Sequence, residues 1–312
     1  MNKPIKTIFM GTPDFAVPGL KTLLASTDFE LIAVYTQTDK SVGRKHVLTA
    51  PPVKKVALDA GVPVFQPKRI KEVIKDIEDL KPHLIVVIAY GKIIPQAILD
   101  IPTYGCVNVH ASLLPKYRGA SCLQAPIKNG DSETGITIMK MDAGLDTGPI
   151  LKQLKITLKG DENLEILHDR LAQMGADNLN TVVLDYCAGK ITPQVQDETK
   201  ASYVGLITKE DGLLNPQGAA KELERQIRAY TPWPGSYLVL PNQEKLKIIE
   251  AEVSKMENGR KIGEIYQEND ELYLCCGQNA LHILKLQREN RNALIASDFL
   301  KGNKDLIGLI AK

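Results

Sequence analysis

Apolar positions along the first half of the chain fall into two alternating patterns. Short runs that are apolar on both faces, at residues 7–10, 31–35 and 84–88, are separated by stretches with helical spacing at 15–24, 53–60 and 73–80. Strands buried on both sides and spaced by helices belong to a parallel sheet covered on both faces. The spacing therefore predicts a doubly wound, Rossmann-like α/β domain. Such sheets bind ligands beyond the carboxyl ends of their strands, so the turns after Met10, Tyr35 and Ile88 are the places to look for chemistry. A long helix is expected over 161–188, where Leu164, Leu167, Leu171, Met174 and Leu179 keep the helical period and Gly189 supplies the stop.

The pattern then changes. Residues 191–205 are polar and irregular. Asn215-Pro216 reads as a helix start, because Asn caps free N–H groups and Pro suits the first turn. Leu223, Ile227 and Tyr230 form an apolar stripe, and Thr231-Pro232-Trp233-Pro234-Gly235 breaks it. Strand-like runs follow at 236–240, 245–253, 262–266, 271–275 and 280–286. Short strands with polar turns predict a small antiparallel β-barrel of the OB type. The expected division is 1–189, a linker over 190–207, and 208–312, in keeping with the length of 312 residues.

Composition narrows the class. Hydrophobic residues make up 44% and charged residues 24%, with a formal net charge of +2, which is ordinary globular usage. No run reaches the roughly 20 apolar residues of a membrane span, and no apolar signal core follows Met1, so a cytoplasmic protein is expected. The five cysteines are scattered, with no Cys-x-x-Cys pair, which argues against a disulfide framework and a structural metal. The vicinal Cys275-Cys276 is read as packing. The turn Gly11-Thr12-Pro13-Asp14 lacks the glycines of a dinucleotide fingerprint, since Pro13 and Ala16 stand where they are needed. A nicotinamide-dependent dehydrogenase is disfavoured accordingly.

Candidate chemistry centres on residues 105–115. Asn108 and His110 are two apart in a strand-like segment and share a face. An amide donor beside an imidazole suits an oxygen that gains negative charge. Asp146 lies in a glycine-containing loop, Asp142-Ala143-Gly144-Leu145-Asp146-Thr147-Gly148. A carboxylate there is placed to orient or charge the imidazole. Taken one at a time, each of these residue types is more often a satisfied core group or a turn former.

The run of neighbours changes that estimate. Asn108-x-His110-x-Ser112-Leu113-Leu114-Pro115 followed by Arg118-Gly119 resembles the motif of the folate-dependent formyltransferases. Further segments of the same resemblance are residues 10–16, 89–91, 135–139, 141–148, 196–199 and 232–235, so it extends over nearly the whole chain. It implies a formyltransferase catalytic domain at 1–189, 10-formyltetrahydrofolate as co-substrate, and no metal. It also implies that Asn108, His110 and Asp146 are catalytic. Ser112, Leu113, Leu114 and Pro115, with Ala89, Tyr90, Gly91, Asp142, Gly144 and Leu145, would hold the folate.

Charge and the second domain bear on the acceptor. Residues 39–71 hold eight Lys/Arg against two Asp. Within the resemblance, the basic loop bearing Lys40, Arg44 and Lys45 would enter a tRNA acceptor stem. The expected acceptor is then initiator tRNA charged with methionine, bound by a monomeric enzyme. From Thr208 onward, 15 basic residues balance 15 acidic ones, which is weak for a phosphate-binding domain, although the tail from Lys285 is locally basic. Two departures from the family stand out: Asn215-Pro216 where Asp-Trp is usual, and Ser121-Cys122 where Ala-Pro is usual. Cys122 is expected to have no catalytic role. An amino sugar nucleotide or glycinamide ribonucleotide as acceptor, folate hydrolysis, and a non-catalytic RNA-binding protein remain as alternatives.

Overall fold

The structure, a computed structural model, describes residues 3–43, 46–257 and 259–312. Arg44 and Lys45 of the basic loop lie outside the described residues. The chain clusters into two units. The first comprises the chain up to Cys122, Thr134–Ile156 and His168–Val204; the second comprises Leu123–Glu133, Thr157–Leu167 and everything from Gly205 on.

Seven strands make the main sheet: β1 (Ile5–Gly11), β2 (Phe29–Tyr35), β3 (Val64–Phe65), β4 (Leu84–Ile88), β5 (Cys106–His110), β6 (Glu133–Lys140) and β7 (Ile150–Thr157). Their order is β7-β6-β5-β4-β1-β2-β3. The first five run parallel, as the doubly apolar runs predict, and β6 joins β5 antiparallel, so the sheet is mixed. The helices between the parallel strands are α1 (Val17–Leu24), α2 (Pro52–Asp59), α3 (Ile74–Leu80) and α4 (Gln96–Leu99). The expected helix from Phe15 is divided, with a 3-10 turn at Asp14–Ala16 before α1.

Both faces of the sheet are covered. On one, Ile8, Met10, Ile85 and Val87 pack with Ile77 of α3 and Ile98 of α4. On the other, a Cβ added at Gly19 of α1 would stand 2.4 Å from Ile88 Cδ1, so glycine is what allows that helix its close approach to β4. The long helix α6 (Leu164–Cys187) follows α5 (Gln124–Asn129) in the chain. A Cβ at Gly175 of α6 would lie 3.0 Å from Val109 Cγ1, which places α6 against the face of β5 opposite Asn108 and His110.

The second unit is an antiparallel sheet: β8 (Ser236–Val239), β9 (Lys245–Ser254), β10 (Ile265–Glu268), β11 (Glu271–Cys275), β12 (Ala280–Arg288) and β13 (Leu294–Ile295). The order is β8-β9-β12-β11-β10, with β13 on β12. The strands do not pair into a closed barrel, since β8 and β10 remain the edges of the ladder. Leu223 and Ile227 of α7 (Ala220–Tyr230) share a core with Leu246, Ile248, Leu272, Leu281 and Ile283. That helix starts later than Asn215. The Asn215 side chain instead accepts from Gln217 N–H at 3.1 Å and closes a turn, and the Glu222 carboxylate takes the free N–H of Ala219. Cys275 and Cys276 are both buried. Among the described residues, no helix is long and apolar enough to cross a membrane.

Leu272 is fully buried in the second core. Leu272→Ala is expected to destabilise the full chain by about 2–5 kcal/mol in urea unfolding. A loss below about 1 kcal/mol would mean that this sheet is not a packed core.

Candidate active site

Strand β5 is buried along its whole length and lies between β4 and β6. Asn108 stands opposite Val87 on one side and Met139 on the other, and His110 stands opposite Thr137. Their side chains share the face of Cys106 and are only 9% and 7% exposed. Both sit at the carboxyl end of a parallel strand, where this class of sheet opens to ligands.

The chain after His110 is pinned by side chains. Ser112 Oγ donates to Lys116 O at 2.6 Å. Thr137 Oγ1 donates to Ser112 O at 2.7 Å and accepts from Leu114 N–H at 3.0 Å. Gln153 Nε2 donates to Leu114 O at 2.6 Å. Tyr117 then adopts a left-handed backbone, φ 61°, and its carbonyl oxygen lies 2.9 Å from His110 Nε2.

The other ring nitrogen faces a carboxylate. Asp146 Oδ2 is 3.6 Å from His110 Nδ1 and accepts from Gly119 N–H at 2.8 Å. Asp146 is itself left-handed, φ 54°, a conformation uncommon for a residue with a side chain and concentrated at functional sites. Gly148 lets its loop lie against β6, since a Cβ there would fall 1.9 Å from Lys140 O.

The electrostatics follow from this geometry. Burial, the largest single influence on His110, disfavours its charged form. Cys122, acting through charge and a side-chain hydrogen bond, outweighs it together with the Asp146 carboxylate and the Tyr117 carbonyl. The imidazole pKa is pushed up to about 9. Tyr117 O lies at hydrogen-bond distance from one ring nitrogen and Asp146 Oδ2 at ion-pair distance from the other, an arrangement that favours the charged ring. Cys122 is buried against this ring. The sequence reading assigned it nothing, and its one signal was its departure from the usual proline.

The other predicted residues fall into two groups. Tyr90 is a core residue, packed with Ile94 and Ile98, while Ala89 and Gly91 beside it are exposed. Ser112 and Leu114 are buried and brace the turn, and Leu113 and Pro115 are half-buried. Asp142 and Gly144 are exposed. Asp142 Oδ1 accepts from Gly144 N–H at 3.0 Å and Thr147 Oγ1 at 2.6 Å, and Leu145 is 58% exposed. The turns after β1, β2 and β4 are tied together by Thr12 Oγ1 and Gln37 Nε2, which both donate to Tyr90 O at 3.0 Å. Lys40 is exposed on a hairpin of Lys40–Val42 with Val47–Thr49. Among the described residues, no group of three or more His, Cys, Asp or Glu could hold a metal ion.

Comparison with known proteins joins these observations. Residues 5–183 match the family model described as formyl transferase, and residues 206–304 match that of the formyl transferase C-terminal domain. A methionyl-tRNA formyltransferase of Caldanaerobacter subterraneus is 42% identical over 311 residues, covering 99% of this chain and 100% of that one. One from Marinobacter nauticus is 41% identical over 306 residues, covering 97% and 98%. Among solved structures, the sugar 3N-formyl transferase WlaRD, crystallised in the presence of dTDP and 5-N-formyl-THF, has a TM-score of 0.67 at 20% identity, covering 94% of this chain and all of that one. HypX from Aquifex aeolicus in complex with tetrahydrofolic acid has a TM-score of 0.64 at 12% identity, covering 96% of this chain and 47% of its own. With both family models matched in order and relatives alike from end to end, the chain belongs to the formyl transferase family.

Proposed function

We propose that the chain transfers the formyl group of 10-formyltetrahydrofolate to the α-amine of methionine on initiator tRNA, acting in the cytoplasm as a monomer. The observation that carries this reading is the buried pair Asn108 and His110 with the partly buried Asp146 facing the imidazole, in a chain whose relatives over their full length are methionyl-tRNA formyltransferases.

The neutral amine attacks the formyl carbon and the carbonyl oxygen becomes an oxyanion. Asn108 Nδ2 donates to that oxygen, and the charged imidazole of His110 stabilises it. As the bond from the formyl carbon to the folate nitrogen breaks, that nitrogen takes up the proton the amine gives away. The Nε2–H of His110 is committed to Tyr117 O, so proton exchange runs through Nδ1, on the side of Asp146. Asp146 keeps the ring charged inside a site from which water is largely excluded.

The folate lies among Ala89, Tyr90 and Gly91, the 142–145 loop, and Ser112 to Pro115. Residues 89, 91, 142 and 144 are exposed and would border the edge of a flat heterocycle, and exposed Leu145 offers apolar surface to its face. Buried Ser112 and Leu114 support this wall from behind. The tRNA is met by the basic segment of Lys40, Arg44 and Lys45; the hairpin that carries Lys40 also exposes Val47 and Leu48. In the second unit, Arg288 is paired with Glu244 and Asp305, and Lys301 with Asp298. The basic tail is thus partly neutralised, which shifts the expected phosphate contact towards the hairpin. Residues 309–312 bond to Ile265 on one side and Val239 on the other, which supports reading the second sheet as a small OB-like barrel. Domain boundaries near 189 and 208 fit this division of labour.

Asn108→Ala is expected to lower kcat for formyl transfer to methionyl-initiator tRNA by roughly 10²–10³, the loss of one oxyanion donor. Turnover near that of the wild type would remove Asn108 from the chemistry. The pH profile carries its own sign. His110 must keep its proton, so activity falls as pH rises through about 9. Asp146→Asn removes a charge that favours the protonated ring and moves that falling limb to lower pH; an unmoved limb would separate Asp146 from His110. Arg44→Ala with Lys45→Ala is expected to raise KM for charged tRNA at low salt and reduce its salt dependence, with kcat retained. An unchanged KM would take the hairpin out of tRNA recognition.

A further inference from the structure

The strap of chain at 194–204, polar and irregular in sequence, is bonded to the candidate site along its length. Gln194 pairs with Ile150 of β7 through two main-chain bonds. Ser202 N–H donates to Pro115 O, Arg118 N–H to Ser202 O, and Ala120 N–H to Val204 O. Ser202 Oγ accepts from Tyr117 N–H at 2.9 Å. The strap therefore fixes the segment whose Tyr117 carbonyl meets one side of His110.

One strap side chain reaches the other side. Gln196 is 5% exposed. Its Nε2 donates to Asp146 O at 2.8 Å and to Gly148 O at 2.7 Å. Its Oε1 accepts from Arg118 Nε at 3.1 Å and Nη2 at 2.9 Å. Arg118, fully buried, is anchored in turn by the Glu198 carboxylate at 2.6 and 2.9 Å and by Tyr203 Oη at 2.8 Å. Every hydrogen-bonding position of the Gln196 amide is filled in one orientation. A flipped amide would set its NH₂ against a guanidinium and its oxygen against two carbonyls. A charged guanidinium thus dictates which way the amide points, and the amide holds the carbonyl of a residue whose backbone is left-handed.

We propose that Gln196, locked by Arg118, is a positioning residue for formyl transfer: it holds the Asp146 main chain so that the carboxylate faces His110. Gln196 touches no reacting atom in this reading. Arg118 secures Gln196 and supplies the neighbouring Gly119 N–H that binds Asp146 Oδ2. Two independent ties, one to the Asp146 carbonyl and one to its carboxylate, thereby converge from a single buried arginine segment. The reaction itself is that of the proposed function, on which the kinetic half of the test rests.

Gln196→Glu discriminates this from a merely structural role. It keeps the side chain's length and strengthens its pairing with Arg118, so the strap stays in place. It also sets an oxygen against Asp146 O where a donor stood. The expected result is a kcat reduced by about 10–100-fold, an unchanged KM for the formyl donor, and a His110 titration, followed by NMR of the imidazole, that moves to lower pH. Asp197→Ala serves as control. Asp197 caps Thr199 in the same strap, and its loss is expected to lower stability without moving either readout. If Gln196→Glu lowers only the melting temperature, or leaves both kcat and the His110 titration at wild-type values, the proposal is overturned. The titration needs no substrate. If it moves as expected while the wild type forms no formylmethionyl-tRNA, positioning stands and the assigned reaction falls.

Discussion

The candidate site turns on a histidine that water barely reaches. His110 is buried to within 7% of full enclosure, and burial alone drives an imidazole to its neutral form. What reverses that outcome is the set of groups gathered at the ring: Cys122, the Asp146 carboxylate and the Tyr117 carbonyl. Each is supplied from outside β5, so that strand does not by itself set the protonation state of its histidine. Two separate stretches of chain, the segment from Tyr117 to Cys122 and the loop of Asp146, must arrive at the ring together. Both Tyr117 and Asp146 do so with positive φ, conformations that surrounding bonds must hold in place.

This constraint explains the architecture around the site. A mixed, mainly parallel sheet covered on both faces gives a rigid floor, and β5 lies inside it with hydrogen-bonded neighbours on both edges. Rigid strands place Asn108 and His110 well, but they give out where the acceptors are needed. There the chain uses buried polar side chains instead of ladders: Thr137 and Gln153 for the 112–115 turn, Gln196 and Arg118 for the loops at 117–119 and 146–148. A fully satisfied network in a poorly hydrated region is stiff, because breaking one bond strands a polar group without water to replace it.

How much of this was legible in the sequence depends on how local each cause is. Residues 84–88 are a strand in sequence and in structure, since an unbroken apolar run has one good use in a parallel sheet. The shared face of Asn108 and His110 follows from strand geometry alone. The turn at Asn215 was misread as a helix start because the same residue that caps a helix also closes a turn. The choice was made by Ala219 and Glu222 a few residues on. The small barrel expected in the second unit rests on strand lengths and turns, which do not say whether the outer strands meet; β8 and β10 do not pair directly with each other.

The strap and Cys122 were illegible for a different reason. Gln196 lies 50 residues from Asp146 in sequence, 48 from Gly148 and 78 from Arg118. Bonds of that span leave no period and no composition, so a segment rich in polar residues reads as a linker whether it is solvated or buried. Only the motif at 196–199 marked it, and a motif without a partner has no mechanism. The partner was also in the sequence, as the arginine of Arg118-Gly119. Its sequence position alone gives that arginine no partner. Its complete burial and its pairing with Gln196 and Glu198 assign it inward instead, to the chain's own backbone. The guanidinium beside the site is thus spent on Gln196 and Glu198, and through Gln196 it bears on the position of a neighbouring carboxylate.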